Sequence, residues 1–265
     1  MGEPTMSERA REQGVLWSQA ATSWAELFED KSLPAVQRAL ELVHLEVGEQ
    51  LLDVGCGAGG AMVLAEPSGV AISGIDAAPG LIAIARARLT SANFLVGDMT
   101  QMPYADHTFD VVTGFSSFLY PIDPVGALRE ARRVAKAGAR VVLITWGREE
   151  MCEGALHFHA LRALFPRAPA GAPPPLAADQ RMPFFMQMAG LSSVTDEYVS
   201  SPWDFESVAV AVRAIRSSGP VQRVVNLLGD EAVDHALLTW LEPFIRSDGS
   251  VHLENELRVL LAFSE

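Results

Sequence analysis

From Gln50 to Trp146 the chain alternates short apolar runs with helix-like stretches, and this alternation restricts the fold more than any other feature. Runs of strand length fall at Gln50 to Val54, Val70 to Ile75, Asn93 to Val96, Phe109 to Thr113 and Arg140 to Trp146. Helical patterns separate them up to about Ala65, over Pro79 to Leu89 and over Pro124 to Val134. Parallel strands need crossovers, and a crossover helix packs back on its sheet with one hand, so a parallel sheet covered by helices on both faces is predicted.

The flanks read differently. Residues 1 to 12 are expected to be frayed. Trp17, Ala20, Ala21, Trp24, Leu27 and Phe28 then recur at three- and four-residue steps, which predicts one amphipathic helix from Val15 to Phe28. A second helix starts at Ser32-Leu33-Pro34 and runs to about His44. After Trp146 the rhythm breaks. Residues 148 to 166 read as helical, 166 to 175 as a Pro- and Ala-rich loop, and Phe184 to Ala189 as a short helix closed by Gly190. Val194 to Val199 is a sixth strand, 204 to 217, 220 to 228 and 230 to 242 are helices, and Leu257 to Phe263 closes the chain as a seventh strand.

Three carboxylates close the first three strands: Asp53, Asp76 and Asp98, roughly 20 residues apart. Ligands of open parallel sheets sit at the carboxyl ends of the strands, so this spacing lines the acids along one crevice. The turn after strand one is Gly55-Cys56-Gly57-Ala58-Gly59-Gly60. Glycines there permit positive φ and close approach of a ligand. The loop alone does not separate a dinucleotide site from others, because counting Gly60 as the third glycine restores the dinucleotide spacing. The acids discriminate better. Asp76 suits a ribose diol and disfavours a phosphorylated 2′ position. Asp53 stands where a pyrophosphate would pass and suits an ammonium or sulfonium instead. Asp98 is able to accept from an exocyclic amine. Ribose, adenine and a cationic amino-acid tail together describe S-adenosylmethionine.

Asp53-Val-Gly-Cys-Gly-Ala-Gly, Gly74-Ile-Asp, Val96-Gly-Asp-Met and Met102-Pro-Tyr-Ala-Asp-His-Thr-Phe-Asp-Val-Val occur in that order. With them, residues 48 to 147 resemble the class I S-adenosylmethionine-dependent methyltransferases, in the methyltransferase-11 or ubiquinone-methylase-like branch. The resemblance implies a Rossmann-like α/β fold: a seven-stranded, mostly parallel sheet with N-terminal helices and a helical cap inserted after strands five and six. The expected division is a helical lid over 1–45, a cofactor-binding core over 46–147, and over 148–265 a cap carrying the last two strands. The resemblance also implies that Gly55 and Gly57 approach the methionine part, that Asp76 holds the ribose hydroxyls, that Asp98 and Met99 surround the adenine, and that Phe115 lines the other side. Cys56 and Ala77 complete this lining, Cys56 as a small residue in a tight loop and not a nucleophile. Trp24 joins from the lid, since in related enzymes such a helix closes over the cofactor. Where the family usually has Pro-Gly-Gly before strand five, Ala137-Gly138-Ala139 stands here, a departure that touches a turn.

The formal net charge of −13 opposes nucleic-acid binding. Arg86 and Arg88, and Arg129, Arg132 and Arg133, lie at helical spacing with apolar partners and read as solvated faces. Two cysteines, Cys56 and Cys152, build neither a disulfide framework nor a zinc pattern, and no metal site is expected. Without an apolar signal core or a run of about 20 apolar residues, the chain reads as cytoplasmic and free of the membrane.

The acceptor is expected to be a small apolar or aromatic molecule, methylated at O, N or C, with secondary metabolism as the setting. An asparagine-proline-proline-aromatic motif after strand four would point to nitrogen methylation of nucleic acid or protein, and Phe115-Ser-Ser-Phe-Leu-Tyr120 stands there instead. Tyr120 is a candidate to orient the acceptor. His157 and His159 are candidate general bases; two residues apart on a helix, they face different ways, so at most one enters the pocket. Trp146, Phe158, Phe184, Phe185, Met186, Met188 and Trp203 offer an apolar cap wall. Two alternatives stay open. One is a protein of this fold that binds the cofactor without methyl transfer, as a rearrangement catalyst or binding module. The other is a tRNA or protein methyltransferase. The oligomeric state also stays open, a homodimer among the options.

Overall fold

The structure, a computed structural model, describes residues 6–165 and 180–265. Strands β1 (Gln50–Val54), β2 (Ala71–Asp76), β3 (Asn93–Val96), β4 (Phe109–Phe115) and β5 (Ala135–Trp146) alternate with helices α4 (Gly60–Ala65), α5 (Pro79–Arg88) and α6 (Pro124–Val134), as the apolar periodicity requires. With β6 (Leu191–Ser200) and β9 (Glu256–Ser264) they form a seven-stranded sheet in the order β3-β2-β1-β4-β5-β9-β6. The first five strands pair in parallel, and β9 lies antiparallel between β5 and β6. The strand order reverses direction at β1 and β4, which opens a crevice at their carboxyl ends.

Each face of the sheet buries its own apolar layer. Helix α3 (Leu33–Val43) and helices α4 and α5 cover one face with Val36, Met62 and Ile82. Helix α6 and helix α8 (Met182–Met188) cover the other with Leu128, Met182 and Met186. Met186, expected in the cap wall, is therefore part of the sheet core, and Phe184 and Met188 of the same helix are exposed. A third apolar cluster makes the cap. Helices α7 (His157–Arg162), α9 (Val208–Arg216), α10 (Gly219–Leu228) and α11 (Asp230–Leu241) enclose Leu161, Trp203, Ile215 and Leu237. The hairpin of β7 (Trp203–Phe205) and β8 (Val251–Leu253) closes it.

Several elements differ from the periodicity. Helix α1 (Glu8–Ser18) begins well before Val15, and α2 (Ala21–Leu27) follows after a break, so two helices replace one. The Ser7 hydroxyl caps α1 by accepting from the Ala10 N–H at 3.2 Å, which satisfies an otherwise unpaired donor of the first turn. Residues 6–12 are thus ordered by a cap and by docking. Gly14 meets the loop after β2 so closely that a Cβ would lie 2.1 Å from the Ala77 carbonyl oxygen. Residues 149–156 form two 3-10 turns and not a continuous helix. There the Gly154 N–H donates to the Asn255 side chain at 2.8 Å, and a Cβ on Gly154 would strike Trp203 at 2.6 Å. The helix expected from 204 starts at Val208, capped by Ser207, because Trp203–Phe205 pairs with a distant segment. β5 starts at Ala135 and turns at Gly138, φ +76°. The Pro- and Ala-rich loop over 166–175 lies outside the described residues.

The arginines expected on solvated faces are structural ties. Arg86 donates twice to the Phe94 carbonyl, at 3.1 and 2.7 Å. Arg132 reaches the carbonyl of Glu265, and Arg133 those of Met102 and Tyr104. Among the described residues no helix is long and apolar enough to cross a membrane.

Candidate active site

The turn after β1 is built for close approach. Gly55 has φ +77°, and a Cβ there would lie 2.3 Å from that of Ser117, two residues past β4. Both the conformation and the space demand glycine. Gly57, φ +53°, points its N–H at Asp76 Oδ2 (2.9 Å), and the Ala78 N–H donates to Oδ1 (2.8 Å). The Asp76 carboxylate thus joins the glycine turn to the start of α5. Burial raises its pKa, against the lowering effect of these amides. Cys56 is buried in the turn, its sulfur 2.9 Å from where a Cβ on Gly74 would sit, and burial pushes its thiol well above the usual range. It packs as a small apolar residue and is no nucleophile.

Asp53 is 2% exposed and accepts from the Thr113 hydroxyl at 2.7 Å. Burial pushes its pKa up to about 7, against the Thr113 hydrogen bond and with help from the carboxylates of Asp76 and Glu29. Asp98, also buried, behaves in the opposite way. Burial alone would raise it, but Ser7 and Thr100 outweigh that and hold it below the usual range. The Ser7 N–H donates to Oδ2 at 3.0 Å, and the Thr100 N–H and hydroxyl to Oδ1 at 2.9 and 2.7 Å.

These groups line three chambers in sequence. The first, about 380 Å³, is bounded by Ser7, Arg9, Gly97, Asp98, Thr100 and Ile122. The second, about 130 Å³, lies between Trp17, Trp24, Leu81, Phe115 and Ser116. The third, about 290 Å³, holds Asp53, Glu29, Asp30 and Arg88. Gln13, Asp76, Ala77, Met99 and Tyr120 line both the first and second; Trp24, Gly55, Gly57 and Phe115 line both the second and third. The result is one groove running from Asp98 past Asp76 to Asp53. Trp24, Asp53, Gly55, Cys56, Gly57, Asp76, Ala77, Asp98, Met99 and Phe115 all line it. Ser116, φ +57°, is a strained non-glycine residue beside the middle chamber, of the kind that clusters at functional sites.

Of the three catalytic candidates, only Tyr120 is at the groove, its ring edge-on to Trp17 at 5.6 Å. Neither histidine lines it. His157 is 2% exposed inside the cap, where its Nδ1 lies 2.5 Å from the Gly154 carbonyl and its ring contacts Phe158 at 3.9 Å. Burial lowers its pKa to about 4, so it is neutral near pH 7. His159 lies on the outer face of α7, its side chain 63% exposed and 3.9 Å from Glu149. The expectation of a histidine general base is corrected accordingly: the cap's own core, not the groove, claims the inward face of α7.

Glu29, Arg88 and Gln13 are among the groove residues that escaped the sequence. Glu29 accepts from the Gly60 N–H at 3.1 Å and pairs with Arg88. Arg88 also donates to the carbonyls of Ala58 (3.1 Å) and Ala25 (2.8 Å), tying α2 to the glycine turn. Gln13 enters from α1. No local pattern marks these residues, since each acts across 30 or more positions of sequence.

This strand order, with an antiparallel β9 and acids at the ends of successive parallel strands, defines the class I methyltransferase fold. Residues 52–143 match the family model described as a methyltransferase domain. Relatives by sequence include demethylmenaquinone methyltransferase of Paenarthrobacter aurescens, 25% identical over 54% of this chain and 58% of that one. Another is malonyl-[acyl-carrier protein] O-methyltransferase of Serratia marcescens, 34% identical over 41% of this chain and 43% of that one. The chain spans about half the length of these relatives. Solved structures of the same fold include the [4+2]-cyclase SpnF, with TM-score 0.64, 18% identity and 99% of both chains covered. Geranyl diphosphate C-methyltransferase from Streptomyces coelicolor A3(2) aligns with TM-score 0.58 and 15% identity over 99% of this chain and 100% of that one.

Proposed function

We propose that the groove binds S-adenosylmethionine and that the protein transfers its methyl group to an O, N or C atom of a small apolar or aromatic molecule. The observation that carries this reading is the order of acids along one groove: Asp98 at a nucleobase-sized chamber, Asp76 at the junction, Asp53 and Glu29 at a chamber fit for a cation. The glycine turn fits the same ligand, since side chains at Gly55 and Gly57 would be strained at the point of closest approach. A diphosphate in place of the cationic tail would meet Asp53, Glu29 and Asp30, with Arg88 the one cation among the described lining residues to offset them.

Bound there, S-adenosylmethionine supplies an electrophilic methyl on a positively charged sulfur. The protein's part is to place an acceptor beside the middle chamber, whose walls are Trp17, Trp24, Leu81 and Phe115, with Tyr120 orienting it. Positioning of this kind is worth up to ~7–11 kcal/mol of a barrier. The aromatic series Trp24, Phe28 and Trp203, with ring centroids 5.1 and 4.7 Å apart, continues from the groove into the cap and suits a flat or greasy acceptor. Incubation with methyl-labelled S-adenosylmethionine and a panel of phenolic, amine and isoprenoid acceptors tests the reading. Label should move to an acceptor with one S-adenosylhomocysteine formed per turnover.

A second reading rests on the whole-length likeness in fold to a cyclase. In it the same groove holds the cofactor while the cap catalyses a rearrangement. Product formation without S-adenosylhomocysteine would select it.

The same reading makes residues 1–45 a lid whose α1 seats on the groove through Gly14. Gly14→Val should lift α1 from Ala77 while the two sheet cores, to which α1 contributes nothing, stay intact. Affinity for S-adenosylhomocysteine should fall at least about tenfold with an unchanged circular dichroism spectrum. Unaltered affinity in the folded variant would reject the lid.

A further inference from the structure

Gln13 is a polar side chain in an apolar place. It projects from α1, is 8% exposed, and its Oε1 has no hydrogen-bond partner among the described residues. An unpaired buried amide oxygen is costly, and on a residue that borders a cavity it points to a ligand that pairs with the side-chain amide once that amide turns toward it. Gln13 lines both the 380 Å³ and the 130 Å³ chambers, together with Asp76, Ala77, Met99 and Tyr120.

Its position narrows the partner. Gly97, Asp98 and Thr100, the residues of the nucleobase end, line only the first chamber, and Asp53, Glu29 and Arg88, at the cationic end, only the third. Gln13 shares the junction with Asp76, whose carboxylate the proposed function assigns to the sugar. A hydroxyl both donates and accepts, so it satisfies a primary amide whichever end of the amide faces it; an amine or a ring nitrogen does not. Asp76, by contrast, already accepts two backbone N–H groups and retains acceptor capacity only.

Resting on the proposed function, we infer that Gln13 is a specificity-determining residue that hydrogen-bonds a ribose hydroxyl of the adenosyl ligand, so that the sugar is read from α1 as well as from β2. The contact makes seating of α1 depend on the ligand's ribose. Binding energy at the sugar then favours the closed arrangement in which α1 covers the groove.

The test is calorimetric titration of wild type, Gln13→Leu and Gln13→Met with S-adenosylhomocysteine and with its 2′-deoxy and 3′-deoxy analogues. Wild type should bind the parent ligand about 5- to 10-fold more tightly than either variant. It should also reject at least one deoxy analogue by about 5-fold more than the variants do, because the variants have already lost the partner of that hydroxyl. Gln13→Glu, which keeps an acceptor oxygen, should retain the discrimination. Equal rejection of both analogues by wild type and the two apolar variants overturns the assignment while leaving the cofactor reading intact. Failure of wild type to bind S-adenosylhomocysteine overturns both.

Discussion

S-adenosylmethionine should bind up to about 20-fold more tightly at about pH 7.5 than at about pH 5.5, with close to one proton released at the acid end and far less at about pH 7.5, above which the ligand's own α-amino group titrates. The origin is Asp53. Burial, only partly opposed by the Thr113 hydroxyl, pushes its pKa up to about 7. Below that value the group is neutral and offers a cation little. A ligand bearing an ammonium and a sulfonium favours the ionised form, so binding expels the proton. The sign is opposite for the fold alone. A raised carboxyl pKa means that the folded chain binds more protons than the unfolded one between the ordinary carboxylate value and about 7. Asp53 therefore costs unliganded protein stability as pH rises through that window. Calorimetry in two buffers of different protonation heat measures the released proton, and thermal melts measure the stability. Asp53→Asn should abolish the pH dependence of affinity in this range and remove the Asp53 contribution to that of stability. A pH-independent affinity in wild type would mean that Asp53 does not face the ligand's charge.

Asp76→Ala should weaken S-adenosylmethionine binding at least tenfold, about 1.4 kcal/mol. Two effects add. The variant removes the acceptor proposed to hold the ribose diol, and it releases the amides of Gly57 and Ala78, which now meet at this carboxylate. Asp76→Asn separates them. Its amide retains one acceptor oxygen for the turn, so the glycine loop should hold better while the sugar contact is still degraded. A neutral result for Asp76→Ala in folded protein would remove the ribose from this position. The alanine variant also removes one of the charges that raises Asp53, so the pH dependence of binding should move to lower pH in Asp76→Ala.

The legible part of this molecule is local in sequence and parallel in structure. β1 and β3 lie where the apolar runs place them, and α6 from Pro124 to Val134, because period and end signals act within a few residues. Asp53, Asp76 and Asp98 share a groove because each follows a strand, and parallel strands bring their ends together whatever the rest of the chain does.

What the sequence could not show depends on pairings between distant segments. Trp203–Phe205 is a strand only because Val251–Leu253 lies beside it, and α1 reaches back to Glu8 because Ser7 caps it and Gly14 seats on Ala77. The spacing of His157 and His159 correctly separated their faces but not which face looks where; burial against Trp203 and Trp240 decided that, and it turned the histidine away from the groove. Arg88 looked like a solvated helix residue until α2 and the glycine turn supplied carbonyls for it. Periodicity and strand-end chemistry thus determined the class of fold and the acids that line the groove. Only tertiary contact, which trades water for specific partners across the chain, decided how the helices before and after the sheet pack against it.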